Sequence, residues 1–335
     1  MSDLSAITVL VPGNLHTHAV NRIGETFRML RTDNIDPALI TDEMKTSVRG
    51  IAASPSLGDA SVSAAFMALL PKLEIVANFG VGYDGVDSRW AGTRGIMVTN
   101  TPDVLTEEVA DTAIGLLINT VRELPRAEKW LRDGAWTRSG NYPLSRLSLR
   151  GRKVGIFGMG RIGMAIARRL EAFGLPVAYH NRRKVEGLAY PYFDTLKGLA
   201  GAVDTLISVV PGTPATAKAV NADVLKALGP DGVFVNIGRG STVDEPALAR
   251  ALADGTIAAA GLDVFADEPN VSESLVDLPN ASLLPHVGSG SIKTREGMAD
   301  LVVDNLVSWF AQGRALTPVP ETASVTAPQY RSSNG

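Results

Sequence analysis

Gly158-Met159-Gly160-Arg161-Ile162-Gly163 decides the fold. The apolar run before it, Lys153-Val154-Gly155-Ile156-Phe157, reads as a strand, and residues 164–173 after it read as a helix. Strand, glycines and helix in that order are what a dinucleotide pyrophosphate requires. The first glycine permits a tight turn, the second lets the backbone approach the phosphates, and the third lets helix and strand pack closely. The helix N-terminus then offers free N–H groups and a partial positive charge to the anion. Gly158, Gly160 and Gly163, with Arg161 and Ile162 between them, are therefore cofactor-binding candidates.

The next strand outward, Val177-Ala178-Tyr179-His180, ends in Asn181-Arg182-Arg183-Lys184. An NAD site usually has Asp or Glu about 20 residues beyond the glycines, where it holds the ribose 2′-hydroxyl. No carboxylate stands at this tip. A carboxylate would repel a 2′-phosphate, whereas Arg can clamp one with paired hydrogen bonds. NADP(H) is expected in preference to NAD(H), with Asn181, Arg182 and Arg183 at the adenosine ribose and His180 as a minor contact. The plainer alternative is a solvated basic turn.

Strand-like and helix-like segments alternate along the whole chain. Further strands are expected at 6–11, 51–53, 73–78, 95–100, 205–210, 232–237 and 258–264, with helices at 245–254 and 292–312. This is the α/β pattern, and right-handed crossovers make such sheets parallel. Thr106 is a good N-cap for an apolar helix running through Val121, and Pro125 should end or kink it. A polar, irregular stretch follows Trp136 up to Leu149. The Ser-, Thr- and Pro-rich tail beyond Pro320 is expected to be disordered.

The length of 335 residues fits about two domains, and 45% hydrophobic with 20% charged residues is a globular composition. A net charge of −3 gives no general attraction to nucleic acid or anionic membrane. The absence of cysteine excludes disulfides, thiolate catalysis and cysteine metal sites, and it fits a reducing compartment. The first residues lack the basic and apolar regions of a signal peptide, and no apolar run is long enough to span a membrane. A cytoplasmic location is expected, with no metal, no nucleic acid and no membrane partner.

His16 and His18 read as surface residues of a polar loop. His286 differs, because it stands in Leu283-Leu284-Pro285-His286-Val287-Gly288-Ser289 at the end of an apolar run. Arg239 follows another strand in Asn236-Ile237-Gly238-Arg239-Gly240, and Glu268 follows a third in Asp263-Val264-Phe265-Ala266-Asp267-Glu268-Pro269. Ligands in open α/β sheets bind beyond the carboxyl ends of strands. Arg239, Glu268 and His286 can therefore converge on one reacting site. Taken singly, Glu268 could instead cap a turn and Arg239 could form a surface ion pair.

These segments, together with Asn78-Phe79-Gly80-Val81-Gly82-Tyr83-Asp84, Thr101-Pro102-Asp103, Val109-Ala110-Asp111-Thr112 and Val210-Pro211, carry a resemblance. The chain resembles the D-isomer-specific 2-hydroxyacid dehydrogenases, and within them the glyoxylate/hydroxypyruvate reductases, over residues 50–310. The resemblance implies two Rossmann-like doubly wound parallel-sheet domains with a cleft between them. Residues 1–105 plus 290–320 would bind substrate, 106–289 would bind the dinucleotide, and 321–335 would form the disordered tail.

The implied activity is NADPH-dependent reduction of small 2-keto acids, glyoxylate and hydroxypyruvate, to D-2-hydroxy acids by hydride transfer. Arg239 would bind the substrate carboxylate and polarise the keto oxygen, and backbone N–H groups at Val81 and Gly82 would hold the carboxylate. His286 would donate the proton, and Glu268 would favour the imidazolium form and fix the ring. Asp263 would bond the nicotinamide carboxamide and Thr112 would lie near the phosphates. Val210, Pro211, Thr216, Ile237, Gly238 and Gly288 would complete the cofactor contacts beside Arg239 and His286.

The size of the substrate R group would be set around residues 54–57 and Val81, with Trp136 and Tyr142 approaching. Alternatives are a reductase of larger aryl pyruvates, or a cofactor-sensing corepressor with little turnover. The resemblance also implies a homodimer embraced by the apolar helix 107–124 together with Trp130, Leu131, Trp136 and Tyr142. The simpler alternative is that this helix packs on its own sheet.

Overall fold

All the sheet strands in the computed structural model, which describes residues 3–54 and 62–328, pair in parallel with their neighbours. Most are buried along their whole length, as parallel strands covered on both faces must be. The chain divides into two units, Met1–Leu105 with Ser291–Gly335, and Thr106–Gly290.

The first unit holds β1 (Thr8–Pro12), β2 (Arg28–Thr32), β3 (Val48–Ala53), β4 (Ile75–Asn78) and β5 (Met97–Thr99), in the order β2-β1-β3-β4-β5. The last long helix, Ile292–Gln312, belongs here. It packs on the helix Thr17–Thr26, where Arg22 reaches Asp300 at 2.7 Å and Asp304 at 2.9 Å. These ion pairs are partly exposed and contribute little. Buried Val302, Leu306 and Trp309 provide the apolar burial that holds the helix to this unit.

The expected disordered tail is corrected for its first part. Pro320–Thr322 forms a short 3-10 turn, and buried Thr322 Oγ1 accepts from Val98 N–H at 3.1 Å. Ala327 is also buried, while residues 329–335 lie outside the described residues. His18 is corrected from a loop residue to a helical one whose Nε2 meets Asp300 at 2.8 Å.

The second unit holds β6 (Val154–Phe157), β7 (Val177–His180), β8 (Tyr192–Phe193), β9 (Thr205–Ser208), β10 (Val233–Asn236), β11 (Ala259–Leu262) and β12 (Ala281–Leu283). Their order is β12-β11-β10-β9-β6-β7-β8, so the direction of winding reverses between β6 and β9. Such a switch point opens a crevice beyond the strand ends. The helix Thr106–Arg122 packs on β11 so closely that a Cβ at Gly261 would lie 2.5 Å from Thr120 Oγ1.

That packing corrects the assignment of spare apolar surface to this helix, whose apolar face is used by its own sheet. The exposed apolar side chains lie beyond it, at Leu124, Leu131, Trp136 and Leu144. Glu123 breaks the helix with φ +53°, and Pro125 sits in the first turn of the next one, Leu124–Arg132. No helix among the described residues is long and apolar enough to cross a membrane.

Candidate active site

Two of the three fingerprint glycines are required by their surroundings. Gly158 adopts φ +107°, and a Cβ there would lie 2.8 Å from Val210 Cγ1. A Cβ on Gly163 would run into the Gly158 carbonyl. Gly160 differs, because nothing lies within 4 Å of where its Cβ would be. It is the N-cap of the helix Arg161–Ala172 and supplies no side-chain cap. An uncapped helix N-terminus facing open space beside a switch point is a phosphate cradle.

Asn181 Oδ1 accepts the Met159 N–H at 2.6 Å, so the end of β7 holds the glycine turn directly. Arg182, Arg183 and Lys184 are exposed. Among the described residues, no carboxylate forms an ion pair with any of the three. His180 is committed to the fold, with Nδ1 2.8 Å from the Phe193 carbonyl and its ring stacked on Phe157.

Beyond β10, β11 and β12 the three reacting candidates draw together. His286 Nδ1 lies 2.7 Å from Glu268 Oε2, and Glu268 Oε1 accepts the Phe265 N–H at 2.9 Å. A Cβ at Gly240 would collide with the Phe265 carbonyl, so the Arg239 turn crosses directly against the turn that carries Glu268. Asn236 shapes the Arg239 turn: its Oδ1 accepts from Gly238 N–H at 3.1 Å, and its Nδ2 donates to the Arg239 carbonyl at 3.0 Å. Burial pushes the Glu268 carboxyl up, but hydrogen bonds from His286 and Phe265 N–H and the charges of His286 and Arg239 outweigh it. The net shift is below the usual carboxylate range.

Asp263 is 1% exposed, and burial raises its pKa against the pull of its hydrogen bonds. Its Oδ1 accepts from Val287 N–H at 2.7 Å and its Oδ2 from Gly288 N–H at 2.8 Å. Both oxygens fix the loop that presents His286. Thr112 holds the same loop by donating to the Gly288 carbonyl at 3.2 Å. Thr216 Oγ1 donates to the Pro211 carbonyl at 2.7 Å and so shapes its own turn after β9. Val210 and Ile237 are buried, and a Cβ at Gly238 would lie 2.7 Å from the Val210 carbonyl. Gly288 is tight against Asp263, where a Cβ would come within 2.9 Å of Oδ2.

Val81 and Gly82 follow β4 in the other unit. Asn78 Nδ2 donates to the Gly82 carbonyl at 2.9 Å, and Asn100 Nδ2 donates to the Val81 carbonyl at 2.8 Å. With those carbonyls tied, no acceptor among the described residues takes the Val81 or Gly82 N–H. Of the candidate R-group residues 54–57, Ser54 is buried and 55–57 lie outside the described residues. Trp136 is exposed with Nε1 donating to Asn141 at 3.1 Å, and the Tyr142 hydroxyl donates to Glu123 at 2.8 Å. Reading the sequence missed Asn78, Asn100 and Asn236 as loop-shaping residues. An asparagine ending a strand is the signal that could have found Asn78 and Asn236.

The family model for the D-isomer specific 2-hydroxyacid dehydrogenase NAD binding domain matches residues 114–288. The chain is 44% identical over 316 residues to hydroxyphenylpyruvate reductase of Plectranthus scutellarioides, covering 94% of this chain and 100% of that protein. It is 42% identical over 317 residues to glyoxylate/hydroxypyruvate reductase A of Arabidopsis thaliana, with the same coverage of 94% and 100%. A solved structure of the NADPH-dependent glyoxylate/hydroxypyruvate reductase of Sinorhizobium meliloti, in complex with NADP and malonate, is 62% identical. It superposes with a TM-score of 0.92 over 95% of this chain and 98% of that one.

Glu268→Gln keeps the shape of the side chain and removes its charge. A depressed carboxyl stabilises the fold above its unfolded pKa, and that contribution is lost as pH falls through the folded pKa. The variant is expected to melt below the wild type at pH 7, with the gap closing as pH drops below the carboxylate's ordinary 4.5. Calorimetry from pH 7 to about pH 3 checks this, and equal melting temperatures at pH 7 contradict it.

Proposed function

This chain belongs to the D-isomer-specific 2-hydroxyacid dehydrogenase family, and from that premise we infer that it is an NADPH-dependent reductase of small 2-keto acids. Glyoxylate and hydroxypyruvate are the substrates, and D-2-hydroxy acids are the products. The observation that carries the reading is the Glu268–His286 pair at 2.7 Å, set against the Arg239 turn at the carboxyl edge of the second sheet. A purely cofactor-sensing protein needs no oriented proton donor.

The residues present fit NADP. The open space over Gly160 and the uncapped helix behind it suit the pyrophosphate, and Arg182 and Arg183 suit the 2′-phosphate. When bound, NADPH supplies the hydride to the carbonyl carbon. The Arg239 guanidinium would pair with the substrate carboxylate in a planar fork that Lys cannot reproduce. The N–H groups of Val81 and Gly82, which no acceptor among the described residues takes, suit an anionic oxygen. His286 gives its Nδ1 to Glu268, which leaves Nε2 to hold the proton and pass it to the oxygen as negative charge develops there. Glu268 fixes the ring and its tautomer. Asp263 positions the loop beneath.

Initial rates with NADPH and NADH against glyoxylate, hydroxypyruvate, pyruvate and hydroxyphenylpyruvate test the reading. The last belongs in the panel because the 44% identical relative is named for it, while the 62% identical structure favours the small acids. One charged hydrogen bond contributes about 1.5–3 kcal/mol, so NADPH should exceed NADH at least about tenfold in kcat/KM. Arg182→Ala with Arg183→Ala should remove that preference by weakening NADPH while leaving NADH unchanged. Equal kcat/KM for the two cofactors in the wild type contradicts it.

The same reading includes a homodimer in a reducing cytoplasm. Leu124, Leu131, Trp136 and Leu144, all exposed in the second unit, supply the apolar surface for a two-fold contact. Light scattering is expected to give twice the chain mass of 35.3 kDa, and a concentration-independent monomer contradicts it.

A further inference from the structure

Phe79 is the first residue after β4, buried at 3% exposure and two positions before Val81. The His16 ring lies parallel to it, with centroids 6.1 Å apart and planes 8° from parallel. The Arg295 guanidinium stands over the same ring at 5.9 Å. His16 ends the loop after β1 and starts the helix Thr17–Thr26, with its carbonyl accepting from Val20 N–H at 3.1 Å. This stack therefore sits at the carboxyl edge of the first sheet, beside the turn that offers the Val81 and Gly82 N–H groups. His16 is not the surface residue that its polar surroundings in the sequence imply.

Its Nδ1 is sealed from solvent and has no hydrogen-bond partner. The residue as a whole is only half-buried, and its Nε2, unlike Nδ1, is not among the sealed atoms, so Nε2 is the open nitrogen. Packing alone does not account for an imidazole here. A phenylalanine would cover Phe79 as well and leave no buried polar atom unsatisfied. We propose that His16 is a specificity-determining residue whose Nε2 hydrogen-bonds the hydroxyl on the carbon beyond the substrate carbonyl. It thereby selects hydroxypyruvate over pyruvate, which has the same skeleton without that hydroxyl. Phe79 holds the imidazole flat, and a site built to bond a hydroxyl discriminates strongly against the analogue that lacks it. The proposal rests on the small-keto-acid reading above.

His16→Phe keeps a flat ring on Phe79 and removes both nitrogens. For hydroxypyruvate, kcat/KM is expected to fall about tenfold, mostly through KM, while glyoxylate and pyruvate stay within about twofold. NADPH binding, followed by its fluorescence, should not change, because the cofactor cradle belongs to the other unit. His16→Gln restores a polar group and should recover part of the hydroxypyruvate-to-pyruvate ratio; it also serves if the first variant folds poorly. A parallel fall for all three acids, or an unchanged ratio in both variants, overturns the role of His16 and leaves the enzyme reading intact. A wild type that consumes NADPH with none of the three overturns both.

Discussion

Asp263 is the residue on which the reacting geometry depends. His286 must adopt φ +53°, a left-handed backbone that costs a residue with a side chain about 1–3 kcal/mol. Three bonds to Asp263 hold it there: the His286 N–H donates to the Asp263 carbonyl at 2.9 Å, and the next two N–H groups donate to its carboxylate. Hydrogen bonds to a charged group contribute about 1.5–3 kcal/mol each, so the two carboxylate bonds together exceed the strain. The raised pKa of Asp263 records the burial that this arrangement entails. With the loop fixed, the ring of His286 has one nitrogen bonded to Glu268 and, in the proposed reaction, one for substrate.

Three other turns follow a shared device. Asn78 ends β4 and Asn236 ends β10, and each folds the following turn back by bonding its backbone. Asn181, just past β7, does the same across to Met159. Tying carbonyls and selected N–H groups inward fixes the backbone of these turns at the strand ends, and Arg239 Nη1 itself donates to the Gly238 carbonyl at 2.8 Å. Glu245, at the start of the helix Glu245–Ala253, adds to this by accepting the Ala266 N–H at 2.5 Å. Burial raises its pKa, as does the charge of Glu268 nearby, so the two carboxyls occupy opposite sides of the usual range. The Glu268 carboxylate, bonded to His286, is the one held on the low side.

The fingerprint was legible from its spacing between a strand and a helix; Gly163 meets its steric demand within the motif, at the Gly158 carbonyl, whereas Gly158 answers to Val210 on the neighbouring strand's exit. The α/β class was legible from alternation alone, and the helix 292–312 matched its expected limits. Three strands were not. β2 is a charged edge strand, Arg28-Met29-Leu30-Arg31-Thr32, without the apolar run that marks a buried one. β8 has two residues, and half-buried β12 showed only as the apolar run before His286, without limits of its own. Arg239, Glu268 and His286 could be picked out because each follows a strand, but their mutual distance depends on the Gly240 crossing, which no spacing reveals. Nothing in the sequence showed that Asp263 and Asn181 also bond the protein's own backbone.

The turnover of a His286→Asn variant measures most directly whether a proton donor held by Glu268 and Asp263 does the chemistry. Asparagine removes the titratable ring and leaves the cradle in the same unit intact. Turnover with hydroxypyruvate is expected to fall roughly 10²–10⁴-fold while NADPH binds with wild-type affinity. A folded variant that turns over near the wild-type rate contradicts the assignment.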